Sequence, residues 1–293
     1  MSSPSIYSLV SARFNHVVHN RLVNSYEFGM VVLPIFSYWM VAFAYDLLDL
    51  LPSSFLMGLV GFCRVKRKER GKENPISKWH VIQRVLLQHA IQFALAFGVM
   101  LVDPDQCEAK PPRSWPMTVL EFVLGMLIMD TWQFWIHRWM HVNTYLYKHV
   151  HSTHHSLLIP YAYGALYNHP VEALLLDTVG GVVTLYASNM SCAVGAWFMN
   201  FATIKTVLDH CGYTSPLNPL HDLFPNSSSY HDVHHDIKHI KKNFSQPFFT
   251  HWDWIMGSYM SPTESGFHIQ ELETSDASSE RGGAGKKELK KNK

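Results

Sequence analysis

Residues 119–155 read VLEFVLGMLIMDTWQFWIHRWMHVNTYLYKHVHSTHH. Residues 119–139 form an apolar run, and a helix needs about 20 such residues to cross a bilayer. The run leads directly into His137 and His141 and then into a second cluster of histidines. The stretch therefore predicts a membrane helix that delivers several imidazoles to one face of the membrane.

Further apolar runs lie on both sides of this stretch. Residues 28–48 and 85–102 precede it, and residues 171–188 and 192–208 follow it as either two spans or a hairpin that dips into the bilayer. Only 16% of the residues are charged, against roughly 25% in soluble domains. We therefore predict an all-α integral membrane protein with about four spanning helices, or three plus a hairpin, and a cytosolic helical domain that carries the histidines.

This pattern predicts three regions along the chain. Residues 1–117 form a membrane region with two spanning helices, residues 118–260 form the histidine-bearing domain, and residues 261–293 form a tail with too few apolar residues to fold. The net charge of +1 argues against a nucleic acid as partner, because phosphate binding needs a concentrated basic face. The four cysteines show no CxxC spacing and suggest neither a thiolate zinc site nor a disulfide framework.

The orientation follows from the distribution of basic residues. Residues 63–84, between the first two spans, contain eight Lys and Arg, and such loops stay on the cytosolic side. Two further crossings then place the histidine clusters and the carboxyl end in the cytosol. The terminal Lys290-Lys291-Asn292-Lys293 fits equally well a dilysine retrieval signal of the endoplasmic reticulum, where we expect the protein, and a merely solvated basic tail.

Eight of the 19 histidines fall into one HxxxH and two HxxHH clusters. Residues three or four apart on a helix share a face, so each cluster can present its imidazoles to one point, which is a chelating geometry. Eight ligands exceed the four of a tetrahedral zinc site, and two metals are the simplest account. The clusters are His137 and His141; His151, His154 and His155; and His231, His234 and His235.

The ligands alone do not decide the metal, because imidazole suits zinc, copper, iron and nickel alike. The box HRWMH lacks the glutamate of a zinc peptidase, and lipid is the accessible substrate. Oxygen chemistry on an inert C–H bond, and hence iron, is therefore the leading interpretation. A membrane metal transporter is the alternative, but transporters place their ligands near the bilayer midplane.

The order of the motifs resembles the fatty acid hydroxylase and sterol desaturase superfamily of membrane di-iron oxygenases. The resemblance includes His169-Pro170-Val171-Glu172 between the two HxxHH boxes and Asp209-His210-Cys211-Gly212 before the last box. It extends over residues 118–258. Within the superfamily the layout is most similar to the plant sphingoid base (sphinganine C4) hydroxylases.

This resemblance implies that the second region is a di-iron domain in which nine histidines hold two irons, with zinc able to substitute in a purified sample. It further implies a monooxygenase that hydroxylates C4 of sphinganine or a ceramide, using O2 and electrons from cytochrome b5 and its reductase. A sterol C4-methyl oxidase or a lipid desaturase would use nearly the same boxes. The expected ligands are His137, His141, His151, His154, His155, His210, His231, His234 and His235.

Two further residues are candidates for the site. His169 matches a family position and is equally well explained by a local role, in which Asn168 caps and Pro170 begins the next helix. Asp130 lies two helical turns before His137, where its carboxylate could bind a metal or orient a ligand imidazole. Carboxylates inside membrane segments are functional candidates by default.

Overall fold

The computed structural model describes residues 5–18, 26–52, 63–64, 74–102, 113–214, 220 and 223–265. The carboxyl-terminal lysines and five of the eight basic residues of the loop after the first span lie outside these residues, so the predictions made for them stay predictions. The long helices are α1 (Ile6–His16), α2 (Tyr26–Leu48), α3 (Lys78–Val102), α4 (Trp115–Val142) and α7 (Cys192–His210).

Shorter elements complete the described fold. α5 covers residues 144–155 as Thr144–Leu146, a π-helical turn Tyr147–His151 and Ser152–His155. α6 covers Pro170–Ala187 as Pro170–Ala173, a π-helical turn Leu174–Val179 and Gly180–Ala187. α8 is Ser228–His234 and α9 is His251–Ile255. Single 3₁₀ turns lie at Ala162–Gly164 and Ile237–His239. The short strand β1 (Cys63–Arg64) pairs antiparallel with β2 (Tyr213–Thr214).

Four described helices are long and apolar enough to cross a membrane, which confirms the predicted fold class. They are Phe28–Leu48, Lys78–Val102, Trp115–Val142 and Pro170–Ala187. Many large apolar side chains on these helices are exposed, among them Phe36, Leu86 and Leu120. A surface of this kind is suited to lipid rather than water.

The helices pack closely through small residues, as is usual in membranes. A Cβ atom at Gly180 of α6 would lie 2.8 Å from Trp132 Cδ1, and one at Gly125 of α4 would lie 3.1 Å from Phe198 Cε2 of α7. α7 also packs along α2. These contacts gather the carboxyl-terminal ends of α4 and α7, where His137, His141 and His210 lie.

Cys192, the first residue of α7, is disulfide-bonded. The spacing of the cysteines suggested no disulfide framework, and the bond at Cys192 corrects that interpretation. A disulfide depends on how closely two cysteines approach in space, and spacing along the chain does not reveal that approach.

Candidate metal centre

Four helices bring the predicted histidines to one place. α4 ends with His137 and His141 one turn apart, α5 carries the second cluster, α7 ends at His210, and α8 with the residue that follows it carries the third. All nine side chains are buried, with exposed fractions of 6% or less.

The nine imidazoles form two groups, within each of which the ligand atoms lie within 4.8 Å of one another. We call them the five-histidine group and the four-histidine group. The five-histidine group contains His137, His141, His151, His155 and His234, and the four-histidine group contains His154, His210, His231 and His235.

Each HxxHH box is divided between the two groups. His151 and His155 enter the five-histidine group, whereas His154 enters the four-histidine group. In the last box the arrangement is reversed, and only the middle histidine, His234, enters the five-histidine group. The expectation that each cluster serves one point is therefore corrected: positions i+3 and i+4 flank position i on opposite sides of a helix face, so one box can serve two sites.

The Nδ1 atoms of six of these rings face oxygens that accept a hydrogen bond. Five of these oxygens are backbone carbonyls, which have no proton to give, so Nδ1 carries the proton there and in a neutral ring Nε2 then has a free lone pair. The partners are Phe244 O for His137 (2.8 Å), Glu172 Oε1 for His151 (2.6 Å), Tyr167 O for His154 (3.3 Å), Thr206 O for His210 (2.8 Å), Lys242 O for His234 (2.7 Å) and Leu157 O for His235 (3.0 Å).

The Nε2 atoms converge at separations that suit a cation. His141 Nε2 lies 3.2 Å from that of His137, 2.8 Å from that of His151 and 3.0 Å from that of His234. A proton on His141 Nε2 could form a hydrogen bond with only one of these three nitrogen atoms. A metal bound at about 2.1 Å holds ligands at right angles about 3.0 Å apart, so the separations fit nitrogen atoms arranged around a metal.

Burial also keeps these rings neutral. It lowers the pKa of His151 and of His154 to about 3 and holds the pKa of His155, His231 and His235 well below the ordinary value. For His154, His155, His231 and His235 the neighbouring imidazoles lower the pKa further. A neutral imidazole is the form that binds a metal.

Glu172 orients one of these imidazoles from the side away from the group. Its Oε1 accepts the Nδ1–H of His151, and both side chains are 1% exposed. A carboxylate in this position fixes the ring and makes its Nε2 more basic. The His-Pro-x-Glu motif is the sequence signal for this role of Glu172.

Asp130 acts at a different place from the one expected. Its Oδ1 accepts the backbone N–H of Phe248 at 3.0 Å and its Oδ2 accepts that of Phe249 at 2.6 Å. Asp253 similarly accepts the N–H groups of Phe244 and Ser245 at 3.0 and 2.7 Å. The two carboxylates thus hold the loop whose Phe244 carbonyl orients His137, and the helical spacing of Asp130 gave no sign of this loop.

His169 lies at the start of α6 and outside both groups. Its Nδ1 accepts the backbone N–H of Val171 at 3.2 Å, and Pro170 follows it as the first helical residue. The cap is therefore His169 itself rather than Asn168. Asn168 interacts through its side chain with His154.

A cavity of about 600 Å³ opens beside the metal centre, within the range of ligand pockets. His137, His151, His154 and His210 form part of its lining, and apolar side chains such as Ile35, Leu95, Met100, Leu185 and Met199 form much of the rest. The arrangement can hold an aliphatic chain next to two metal sites.

The fatty acid hydroxylase family matches residues 122–258. Sphinganine C4-monooxygenase 1 of Arabidopsis thaliana is 46% identical over 231 residues, which are 78% of this chain and 86% of that protein.

The chain belongs to the fatty acid hydroxylase family. This confirms the resemblance indicated by the histidine boxes, and with it the class of the protein as an oxidoreductase. A very-long-chain aldehyde decarbonylase of Oryza sativa subsp. indica is 42% identical over 82% of this chain and 93% of its own length. Methylsterol monooxygenase 1 of Danio rerio is 31% identical over 60% of each chain. No solved structure matches the chain.

Proposed function

We propose that this protein is a di-iron monooxygenase that hydroxylates C4 of sphinganine. The observation that carries the proposal is the convergence of nine buried imidazoles, in two groups, on a largely apolar cavity. The similarity to the sphinganine C4-monooxygenase of Arabidopsis thaliana supports the choice of substrate.

The nine histidines would hold the two irons, His137, His141, His151, His155 and His234 one of them and His154, His210, His231 and His235 the other. When bound, the irons would supply the oxidising chemistry that O2 needs to hydroxylate a C–H bond. All-imidazole donors suit iron, and zinc would fit the same ligands.

The protein's own part is to place the substrate. The apolar lining holds the alkyl chain and excludes water, while the histidines at the lining keep one carbon of that chain at the metals. Glu172 and the loop carbonyls hold the imidazoles in one tautomer. Electrons would come from cytochrome b5 and its reductase.

We place the site on the cytosolic face of the endoplasmic reticulum membrane. Disulfides form in oxidising compartments such as the lumen, and Cys192 lies at one end of α7 while His210 lies at the other. A helix of 19 residues is about 28 Å long, close to the thickness of the hydrocarbon core. The basic loop after the first span supports the same orientation.

Expression in cells that lack their own sphinganine C4-hydroxylase tests the proposal. We expect 4-hydroxysphinganine (phytosphingosine) to accumulate, and none to form with His154→Ala. Disappearance of 4-methylsterols instead would favour a sterol oxidase, and conversion of long-chain aldehydes to hydrocarbons would favour the reaction named for the rice relative. Either result without 4-hydroxysphinganine would refute the proposed substrate.

A further inference from the structure

Asp177 places a carboxylate in the lining of the cavity, in the membrane part of the fold. It lies in the π-helical turn of α6. It lies five positions after Glu172, and in a regular α-helix residues at this spacing point about 140° apart. The wider π turn brings them together, so that Asp177 and Glu172 interact electrostatically.

Two neutral amides donate hydrogen bonds to this carboxylate, and its charged neighbour Glu172 has the same sign. Gln88 Nε2 donates to Asp177 Oδ2 at 2.9 Å, and the side chain of Asn168 also hydrogen-bonds the carboxylate. Among the ion pairs between described residues, none brings a Lys or Arg to Asp177. A carboxylate within a membrane segment is costly unless a cation pairs with it.

Asp177 is only one side chain away from the metal centre. Asn168 interacts both with Asp177 and with His154 of the four-histidine group. Glu172, beside Asp177, binds His151 of the five-histidine group. A group bound to Asp177 would therefore lie next to the carbon that faces the metals.

We propose that Asp177 binds the ammonium group of the substrate, and that the substrate is the free long-chain base rather than a ceramide. This rests on the proposed function. The amine of a free base is protonated at neutral pH, as that of lysine is, and it can replace the missing cation. The amide nitrogen of a ceramide is neutral and carries a second acyl chain.

The position of the amine on the substrate agrees with that of Asp177. In sphinganine the amino group is on C2, and only C3 separates that carbon from C4. An anchor for the amine must therefore lie close to the metals, as Asp177 does, while the remaining alkyl chain extends along the apolar lining that includes Leu95, Met100 and Met199.

Binding measured without electron donors tests the proposal on the full-length protein in lipid nanodiscs. The ligands are sphinganine and N-acetylsphinganine, a neutral short-chain ceramide, and the variants are Asp177→Asn and Glu121→Gln. Glu121 is a matched control because it is a carboxylate of α4, 3% exposed, that faces Arg113 at 3.4 Å and does not line the cavity.

We expect the unsubstituted protein to bind sphinganine more tightly than N-acetylsphinganine. Asp177→Asn should weaken sphinganine binding at least about thirtyfold, with N-acetylsphinganine binding and metal content unchanged. Glu121→Gln should bind both ligands as the unsubstituted protein does. Unchanged sphinganine binding in Asp177→Asn, equal loss of both ligands, or preference for N-acetylsphinganine would overturn the inference.

The two proposals fail in different ways. If the unsubstituted protein forms no 4-hydroxysphinganine in cells that lack the hydroxylase, the proposed function fails. If it does form the product and Asp177→Asn forms it with the same KM for sphinganine, only the role of Asp177 fails.

Discussion

Replacing Glu172 with Gln removes one charge behind the five-histidine group and changes little else. The amide keeps the volume of the side chain, and its oxygen can still accept the Nδ1–H of His151, now at 2.6 Å from Oε1. A hydrogen bond to a charged group contributes about 1.5–3 kcal/mol and a neutral one about 0.5–1.5 kcal/mol. We therefore expect a loss of about 1–1.5 kcal/mol in metal binding at this group, or roughly tenfold in affinity, at the lower end of the effect of removing such partners.

The assay is competition for iron by a graded series of chelators, with iron per chain measured after each step. Because Glu172 contacts only the five-histidine group, one of two irons should leave at a chelator strength about tenfold lower, while the other stays as in the unsubstituted protein. Glu121→Gln again serves as the control and should change neither step. An equal loss of affinity for both irons, or no change for either, would show that the Glu172 carboxylate does not strengthen metal binding at the five-histidine group alone.

Further substitutions, and the dependence of stability on pH, test other contacts of the histidine groups and of the helices. Asp130→Asn loses one of the two charge-assisted hydrogen bonds that the carboxylate accepts from the backbone N–H groups of Phe248 and Phe249. The loss should lower the free energy of unfolding by about 1.5–3 kcal/mol and reduce the metal content. A normal melting temperature together with normal metal content would contradict this. His154→Ala should abolish hydroxylation and metal binding at the four-histidine group, whereas His149→Ala, on an exposed residue two positions before that box, should retain both. Lys205→Met leaves the buried Asp209 without its cation, and a fall of about 3–5 kcal/mol in stability should appear in unfolding by denaturant. Burial lowers the pKa of His154 to about 3, whereas the same histidine in the unfolded chain has a pKa near 6.5, so below pH 6.5 the unfolded chain binds more protons. The free energy of unfolding of the metal-free protein should therefore fall by about 1.4 kcal/mol for each such histidine per pH unit below about 6.5. Melting temperatures that do not change with pH would contradict this prediction.

The membrane-spanning helices were predictable because the sequence pattern that indicates them has one physical cause. A run of about 20 apolar residues predicts a span because the bilayer has a fixed thickness, and four such helices are present. Their ends were less predictable. The helix expected at residues 85–102 begins at Lys78, because a polar first turn can extend a membrane helix beyond the hydrocarbon core without an apolar signal.

The histidines were predictable as a set because their spacing places them on helix faces, and the structure brings all nine together. How they divide into two groups was not predictable, since it depends on how α5 and α8 face each other. Asp130 shows the same limit: its helical position was right for reaching the site, but its partners are backbone groups of a loop more than a hundred residues later.

The role of Asp177 shows why local sequence rules fail at π turns. In a regular helix it would not share a face with Glu172, and a carboxylate in an apolar run carries no sequence signal for a cavity. The insertion of a π turn depends on packing of the whole helix against its neighbours. Tertiary structure therefore decides which carboxylates face the cavity.

Metal analysis of the purified protein shows whether the two groups of buried imidazoles hold two metals. Protein produced in cells supplied with iron should contain two irons per chain, and His154→Ala should lose iron from the four-histidine group while His149→Ala retains two. One metal or none in the unsubstituted protein, or two irons still bound after His154→Ala, would contradict the account.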